Sequence, residues 1–129
     1  MKLINAAQRG FPMPFKDIKN ERDFINVRNL ALALKTVIEK KIYGIIIPTD
    51  KKPVSTEEII NLVKKYAKSK VRLIKVPIFI LSLIRKIKPK IYIKVFGSLK
   101  VICNIPDVLY KPSFTLEDGI KEMVNINKQ

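Results

Sequence analysis

No histidine occurs anywhere in this chain. The commonest metal ligand and the commonest general base at neutral pH are therefore missing together. A serine or cysteine triad would have no imidazole to activate it. Cysteine occurs once, at Cys103, which excludes an internal disulfide and suits a reduced, cytoplasmic setting. Cys103 reads as a small core side chain rather than a nucleophile. The acidic residues, 11 in all, are scattered or sit at helix starts, so no paired-carboxylate geometry offers itself. The longest apolar run, Pro77 to Ile84, is far short of the roughly 20 residues that span a bilayer. Met1 to Gly10 has no apolar core of the signal-peptide kind. Repeats, low-complexity tracts and an internal linker are also absent, so residues 1–129 read as a single domain.

What is present in excess is lysine. With 26 basic residues (21 Lys and 5 Arg) against 11 acidic, net charge is +15 and the pI is near 10.0. Such a balance raises the question of nucleic acid, yet no basic strand is interleaved with aromatics for stacking bases. The chain is also heavy in isoleucine and asparagine, and AT-rich coding accounts for all three biases together. Nucleic acid is therefore disfavoured as a partner, and with no spanning segment no membrane is expected. An apolar content of 47% argues for a packed fold.

The chain is organised around Gly10–Leu30. Lys2 to Gln8 reads as helix, closed by Gly10 as a C-cap. Pro12 and Pro14 then impose extended backbone, and Phe24, Ile25 and Val27 form a short strand. Asn29 is placed as the N-cap of a helix carrying Leu30, Ala33, Leu34, Val37 and Ile38 on one face, ending at Lys40-Lys41. Tyr43 to Thr49 is a continuous apolar run of the kind buried on both faces of a parallel sheet. Ser55-Thr-Glu-Glu58 is a capping box, and its helix buries Ile59, Ile60, Val63 and Ala67. Val71 to Val76 reads as a strand, and Pro77 as the first turn of a helix reaching Lys86. Ile91 to Phe96 alternates like a strand. Thr115-Leu-Glu-Asp118 starts a last helix with Ile120, Met123 and Val124. A rigid extended run followed by one arginine, Arg22, suits a flat heterocycle with an anionic tail.

In this order the segments resemble the C-terminal half of the NAD-dependent nucleotide-sugar epimerases and dehydratases, the extended short-chain dehydrogenases that include UDP-glucose 4-epimerase. The landmarks run collinearly from Leu3 to Val124: G-F-P-M-P-F at 10–15, N-E-R-D-F-I-N-V-R-N-L at 20–30, T-D at 49–50 and V-S-T-E-E-I-I at 54–60. They continue with V-P at 76–77, F-G-S-L at 96–99 and L-Y-K-P-S-F-T-L-E-D-G-I at 109–120. The resemblance implies an α/β fold. It is a partial Rossmann-type sheet edge with a small mixed α/β substrate-binding subdomain, lacking the N-terminal dinucleotide-binding half. It further implies that Pro12, Met13, Pro14 and Phe15 run along the uracil of a UDP-sugar, that Arg22 binds the diphosphate, and that Phe24 lies near the nucleoside. Lys94 stands nearest the family's second phosphate-binding arginine, without its bidentate fork.

Other departures are the segment Val101-Ile-Cys-Asn-Ile-Pro, where the family has an aspartate-bearing helix, and Tyr110 in place of a tryptophan. The four glycines (10, 44, 97 and 119) form no dinucleotide fingerprint, and the family's catalytic residues belong to the missing half. Tyr66-Ala-Lys-Ser-Lys70 has the family's catalytic tyrosine–lysine spacing, which would set both on one helix face, but it falls in the wrong place in the order. No catalytic or metal-binding residue is assigned, no cofactor is expected to bind this chain alone, and NAD is implied for the intact enzyme. The expected function is the UDP-sugar-binding part of such an isomerase in polysaccharide precursor synthesis. The alternative is a basic, non-catalytic interaction module for nucleic acid or an acidic partner. A strand edge left uncovered by the missing half predicts self-association, or pairing with a separately encoded N-terminal half.

Overall fold

The computed structural model describes residues 2–126, which form six helices and two short strands. In chain order these are α1 (Lys2–Gln8), β1 (Met13–Lys16), α2 (Val27–Glu39), α3 (Thr56–Ala67), β2 (Leu73–Lys75), α4 (Ile78–Ile87), α5 (Pro89–Phe96) and α6 (Leu116–Ile126). The architecture is mixed α/β. Contacts divide the chain into two compact units, each built from two separated stretches. Met1–Arg22 with Val54–Leu99 makes the first, and Asp23–Pro53 with Lys100–Gln129 makes the second.

In the first unit, α1 ends where Gly10 takes a left-handed φ of 78°, the turn that sends the chain into β1. Alternation along β1 buries Met13 and Phe15 and exposes Pro14 and Lys16. Because Met13 turns its N–H toward β2, Pro12 and Pro14 on either side of it sit where no ladder hydrogen bond is asked of them. β1 pairs in parallel with β2, Met13 opposite Leu73 and Lys16 opposite Lys75, helped by the Met13 N–H donating to the Arg72 carbonyl at 2.9 Å. Over this ribbon, α3 buries Ile59, Ile60 and Val63, joined in the core by Ala7, Val54 and Val71.

The start of α3 agrees with its local sequence. Ser55 is the N-cap, its Oγ accepting the Glu58 N–H at 3.0 Å. Asn20 adds a distant cap, accepting the Thr56 N–H at 3.0 Å and donating to Thr56 Oγ1 at 2.8 Å. Because Asn20 shares the task, Ser55→Ala is expected to cost only about 1 kcal/mol in urea unfolding, the usual value for losing one cap. A cost beyond double that would mean Asn20 does not share the task. The helix closes at Lys68, itself left-handed at φ 51°. Lys70 therefore lies past the helix end, and Tyr66 and Lys70 do not share a helical face.

Within the second unit, α2 begins one turn earlier than the pattern suggested. Asn26, not Asn29, is the cap, its Oδ1 accepting the Arg28 N–H at 2.9 Å. The expected strand at Phe24–Val27 does not form, since Val27 already opens the helix. Asn29 is fully buried and joins four groups. Its amide donates to Asp50 Oδ1 and to the Phe114 carbonyl, both at 2.7 Å. Its Oδ1 accepts the Ser113 and Phe114 N–H groups, both at 3.0 Å. Helix α6 is capped as its sequence predicts, Thr115 Oγ1 accepting the Asp118 N–H at 3.1 Å while Asp118 accepts the Thr115 N–H at 2.9 Å. The core gathers Ala33, Ile105 and Tyr110, with Val37, Ile42, Ile46, Cys103 and Leu109 packed around them.

Two further expectations need correction. Tyr43–Thr49 is not a strand, and Tyr43 and Ile45 are 88% and 84% exposed. A doubly buried strand needs a neighbour on each side, and no described strand belongs to this unit. The backbone of 45–47 pairs instead with one side chain: Asn104 donates to the Ile45 carbonyl at 2.5 Å and accepts the Ile47 N–H at 2.8 Å. The Rossmann-type sheet edge expected from this run is thus absent among the described residues. Ile91–Phe96 is helical, as the end of α5. Pro89 in its first turn starts the helix, and alternation without a pairing strand is not enough to hold β structure.

Candidate ligand-binding site

In the first unit, the Gly10 turn and the parallel ribbon shape an open cleft of about 610 Å³. It is lined by Gly10, Pro12 and Lys16 from the first stretch of this unit and by Lys70, Arg72, Leu73, Ile74 and Lys75 from the second. Parallel register creates this cluster. It sets Lys16 beside Lys75, while Lys70 and Arg72 arrive on the approach to β2. Lys75 is paired at 3.1 Å with Asp17, and that pair is largely exposed. No acidic residue lines the cleft, so the site suits a ligand with more than one negative charge. It contains no thiol, imidazole or hydroxyl nucleophile. The arrangement can bind an anion; it has nothing to attack one with.

Of the residues picked from sequence, Pro12 lines this cleft. Met13 and Phe15 point into the core instead, Phe15 meeting the Phe96 ring at 5.8 Å. Pro14 is exposed on the ribbon. Arg22 is held by its backbone, exchanging hydrogen bonds with Val54 at 3.0 and 2.9 Å. Its guanidinium reaches the C-terminal end of α5, donating from Nε to the Gly97 carbonyl at 3.2 Å and from Nη2 to the Lys94 carbonyl at 2.6 Å. A cation there offsets the negative end of a helix dipole, and it commits two of the five N–H donors of the guanidinium. The F-G-S-L glycine has a structural reason: a Cβ on Gly97 would collide with the Ile93 carbonyl. Lys94 serves Arg22 through its backbone, and its side chain is exposed. Phe24 belongs to the second unit, where its carbonyl accepts the Asp50 N–H at 2.9 Å.

The four cations of the cleft were missed. Their only local signal is the every-second-residue spacing of Lys68, Lys70 and Arg72; Lys16 and Lys75 are brought in by strand pairing.

A smaller cavity of about 340 Å³ lies in the second unit, lined by Asp23, Thr49, Lys51, Cys103 and Asp107 among others. Its two lysines, Lys51 and Lys100, face two carboxylates in the lining, Asp23 and Asp107. The Lys51 ammonium donates to the Tyr110 carbonyl at 3.1 Å and pairs with Asp107, and its hydrogen bond and charge hold the Asp107 carboxyl below its usual range. Lys51 therefore staples its own unit together, and this cavity carries no comparable charge for a ligand.

Metal and dinucleotide chemistry find no support in the described residues. No group of three or more potential metal ligands is brought together. At the β2–α4 junction, the helix cap is Pro77, which has no N–H, and no glycine lets a pyrophosphate approach. That junction therefore offers no phosphate cradle of the dinucleotide-binding kind, and no hydride step is assigned to the described residues.

Compared with known proteins, the chain matches no family model, no curated protein and no solved structure.

Proposed function

We propose that this chain binds a nucleoside-diphosphate sugar, most simply a UDP-sugar, as the substrate-binding part of an NAD-dependent nucleotide-sugar epimerase or dehydratase. Hydride transfer would need a cofactor-binding half that residues 1–129 do not contain. One observation carries the reading: the acid-free cationic cleft opens beside Pro12, in the segment that the sequence resemblance sets along the base. In this proposal Pro12 and the Gly10 turn form the flat wall, and Lys16, Lys70 and Arg72 take the diphosphate, Arg72 with a fork that matches phosphate oxygens. Arg22 is not among the residues lining the cleft and holds the end of α5, so in this proposal the diphosphate role that the resemblance implies for it passes to the cleft cations. A reduced cytoplasmic setting suits both the ligand and the single thiol.

Calorimetric titration with UDP and with a UDP-sugar tests this. Binding in the micromolar to millimolar range is expected, weakened about tenfold or more by the double reversal Lys16→Glu, Arg72→Glu, since each lost phosphate contact of this kind carries roughly 1–3 kcal/mol. Both side chains are exposed, so the fold should survive the change. Absence of heat at millimolar ligand, or equal affinity in the variant, would sink the proposal. The alternative, a basic interaction module, draws on the same charge, and salt-sensitive RNA binding in preference to UDP would favour it.

A further inference from the structure

Between Glu58 and Asp107 the chain has no acidic residue, while ten lysines and two arginines fall in that interval. The apolar residues within it are unusually exposed. The successive helices α4 and α5 pack on each other, and neither contributes a fully buried residue. In α4, Phe79, Leu83 and Ile87 follow an i, i+4, i+8 spacing and form one stripe; they are 69%, 54% and 64% exposed. Ile80, 37% exposed, borders that stripe, and Ile93 of α5 is 64% exposed. The same two helices carry basic residues: Arg85 and Lys86 in the last turn of α4, with Lys86 next to the stripe by helical periodicity, Lys88 at the corner, and Lys90 and Lys94 one turn apart on α5.

We infer that the α4–α5 hairpin docks on the surface of an anionic lipid bilayer. Two features must be satisfied together. An apolar stripe of this length seeks a non-aqueous layer, and the acid-free run of long cationic side chains on the same two helices seeks an anionic one. A bilayer with negatively charged headgroups stacks those layers within reach of a single helix. The stripe enters the acyl boundary, and the lysine and arginine stems extend back to the phosphates and carboxylates. A polynucleotide would use the charge and leave Phe79, Leu83 and Ile87 in water. No described helix is long and apolar enough to cross a membrane, but lying in the interface needs no such length. The expectation of no membrane partner rested on crossing alone. This surface is separate from the cleft at Pro12, so the inference does not depend on the nucleotide-sugar reading.

Co-sedimentation of the full chain with vesicles tests it. Expected is binding to phosphatidylcholine–phosphatidylserine vesicles, weakened by salt and weakened about tenfold or more on pure phosphatidylcholine. Two variants separate the contributions: Phe79→Ser with Leu83→Ser removes the stripe, and Lys86→Glu with Lys90→Glu reverses the charge. Each should lower binding about tenfold, and because all four side chains are exposed, unchanged circular dichroism should accompany the loss. The inference is overturned by absence of binding to the anionic vesicles. It is equally overturned if the serine variant binds as well as the native chain. Vesicle-free self-association abolished by the serine pair would assign the stripe to a second copy of this chain, and displacement of the vesicles by RNA would assign the charge to a polynucleotide; either result rejects the bilayer.

Discussion

Asn29→Ala is expected to cost the second unit about 4 kcal/mol, a large share of the roughly 5–15 kcal/mol that holds a typical domain. The amide is fully buried and satisfies four partners: the Asp50 carboxylate, the Phe114 carbonyl and the N–H groups of Ser113 and Phe114. Alanine leaves all four short of a partner, and each such group costs on the order of 1–3 kcal/mol less whatever water recovers. Asn29→Asp probes the same site with almost no change of volume. It keeps the acceptor but sets a second carboxylate oxygen where Asp50 Oδ1 lies 2.7 Å from the amide nitrogen. Its instability should therefore ease as pH falls and one carboxyl takes up a proton. Urea unfolding followed by circular dichroism reads both variants. As a yardstick, Asn104→Ala removes an amide from an exposed site in the same unit. Should Asn29→Ala prove no costlier than Asn104→Ala, the central role given to Asn29 is wrong.

The second large effect is alkaline. Tyr110 is 2% exposed, and its hydroxyl has no hydrogen-bond partner among the described residues. Burial, with lesser contributions from the nearby Asp50 and Cys103, pushes its phenol up to about 12. Below pH 10 the phenol is protonated whether the chain is folded or not, and the stabilisation is intact. As pH rises from 10 to about 12 the unfolded chain releases this proton first, so stability falls across that window by about 2–3 kcal/mol. Lysine titration overlaps the window, and Tyr110→Phe isolates the tyrosine part. The phenylalanine variant should lose that much less stability between pH 9 and 12, in denaturation midpoints measured side by side. At pH 7 it should be as stable as the native chain or slightly more so, because it removes a buried hydroxyl that has no partner. Identical alkaline slopes for the two proteins would refute the assignment.

What could be read from sequence follows from how far each signal reaches along the chain. The starts of α3 and α6 were legible because Ser55 and Thr115 bond to residues three positions on. Pro77 marked α4 for a reason equally local. Asn26 and Asn29 look alike as helix caps in N-V-R-N. What separates them is that both ends of the Asn29 amide are taken by Asp50, Ser113 and Phe114, whereas the Asn26 Oδ1 is left to accept the Arg28 N–H; local pattern reveals neither. Tyr43–Thr49 and Ile91–Phe96 carry strand-like patterns, but a strand exists only with a partner, and neither has one among the described residues. The site divides the same way. Pro12 announced rigid backbone by itself, whereas the cleft cations depend on the parallel pairing of two short strands far apart in sequence.

The nested order of the two units has a consequence for synthesis. As the chain emerges from its N-terminus, Asp23–Pro53 is made early, yet the residues that complete its unit begin only at Lys100. In between comes Val54–Leu99, which completes the first unit and pairs back through Val54 to Arg22 and through Leu99 to Glu21. The first unit can therefore close while the second still waits. Asp50 and Asn29 are both available in the waiting segment, but Ser113, Phe114, Ile105 and Tyr110 are not. During that interval Tyr43 and Ile45 lie beside an unfinished core, the condition in which nascent chains are most prone to aggregate. The late arrival of Ser113 and Phe114 makes closure of the second unit the vulnerable step of biogenesis.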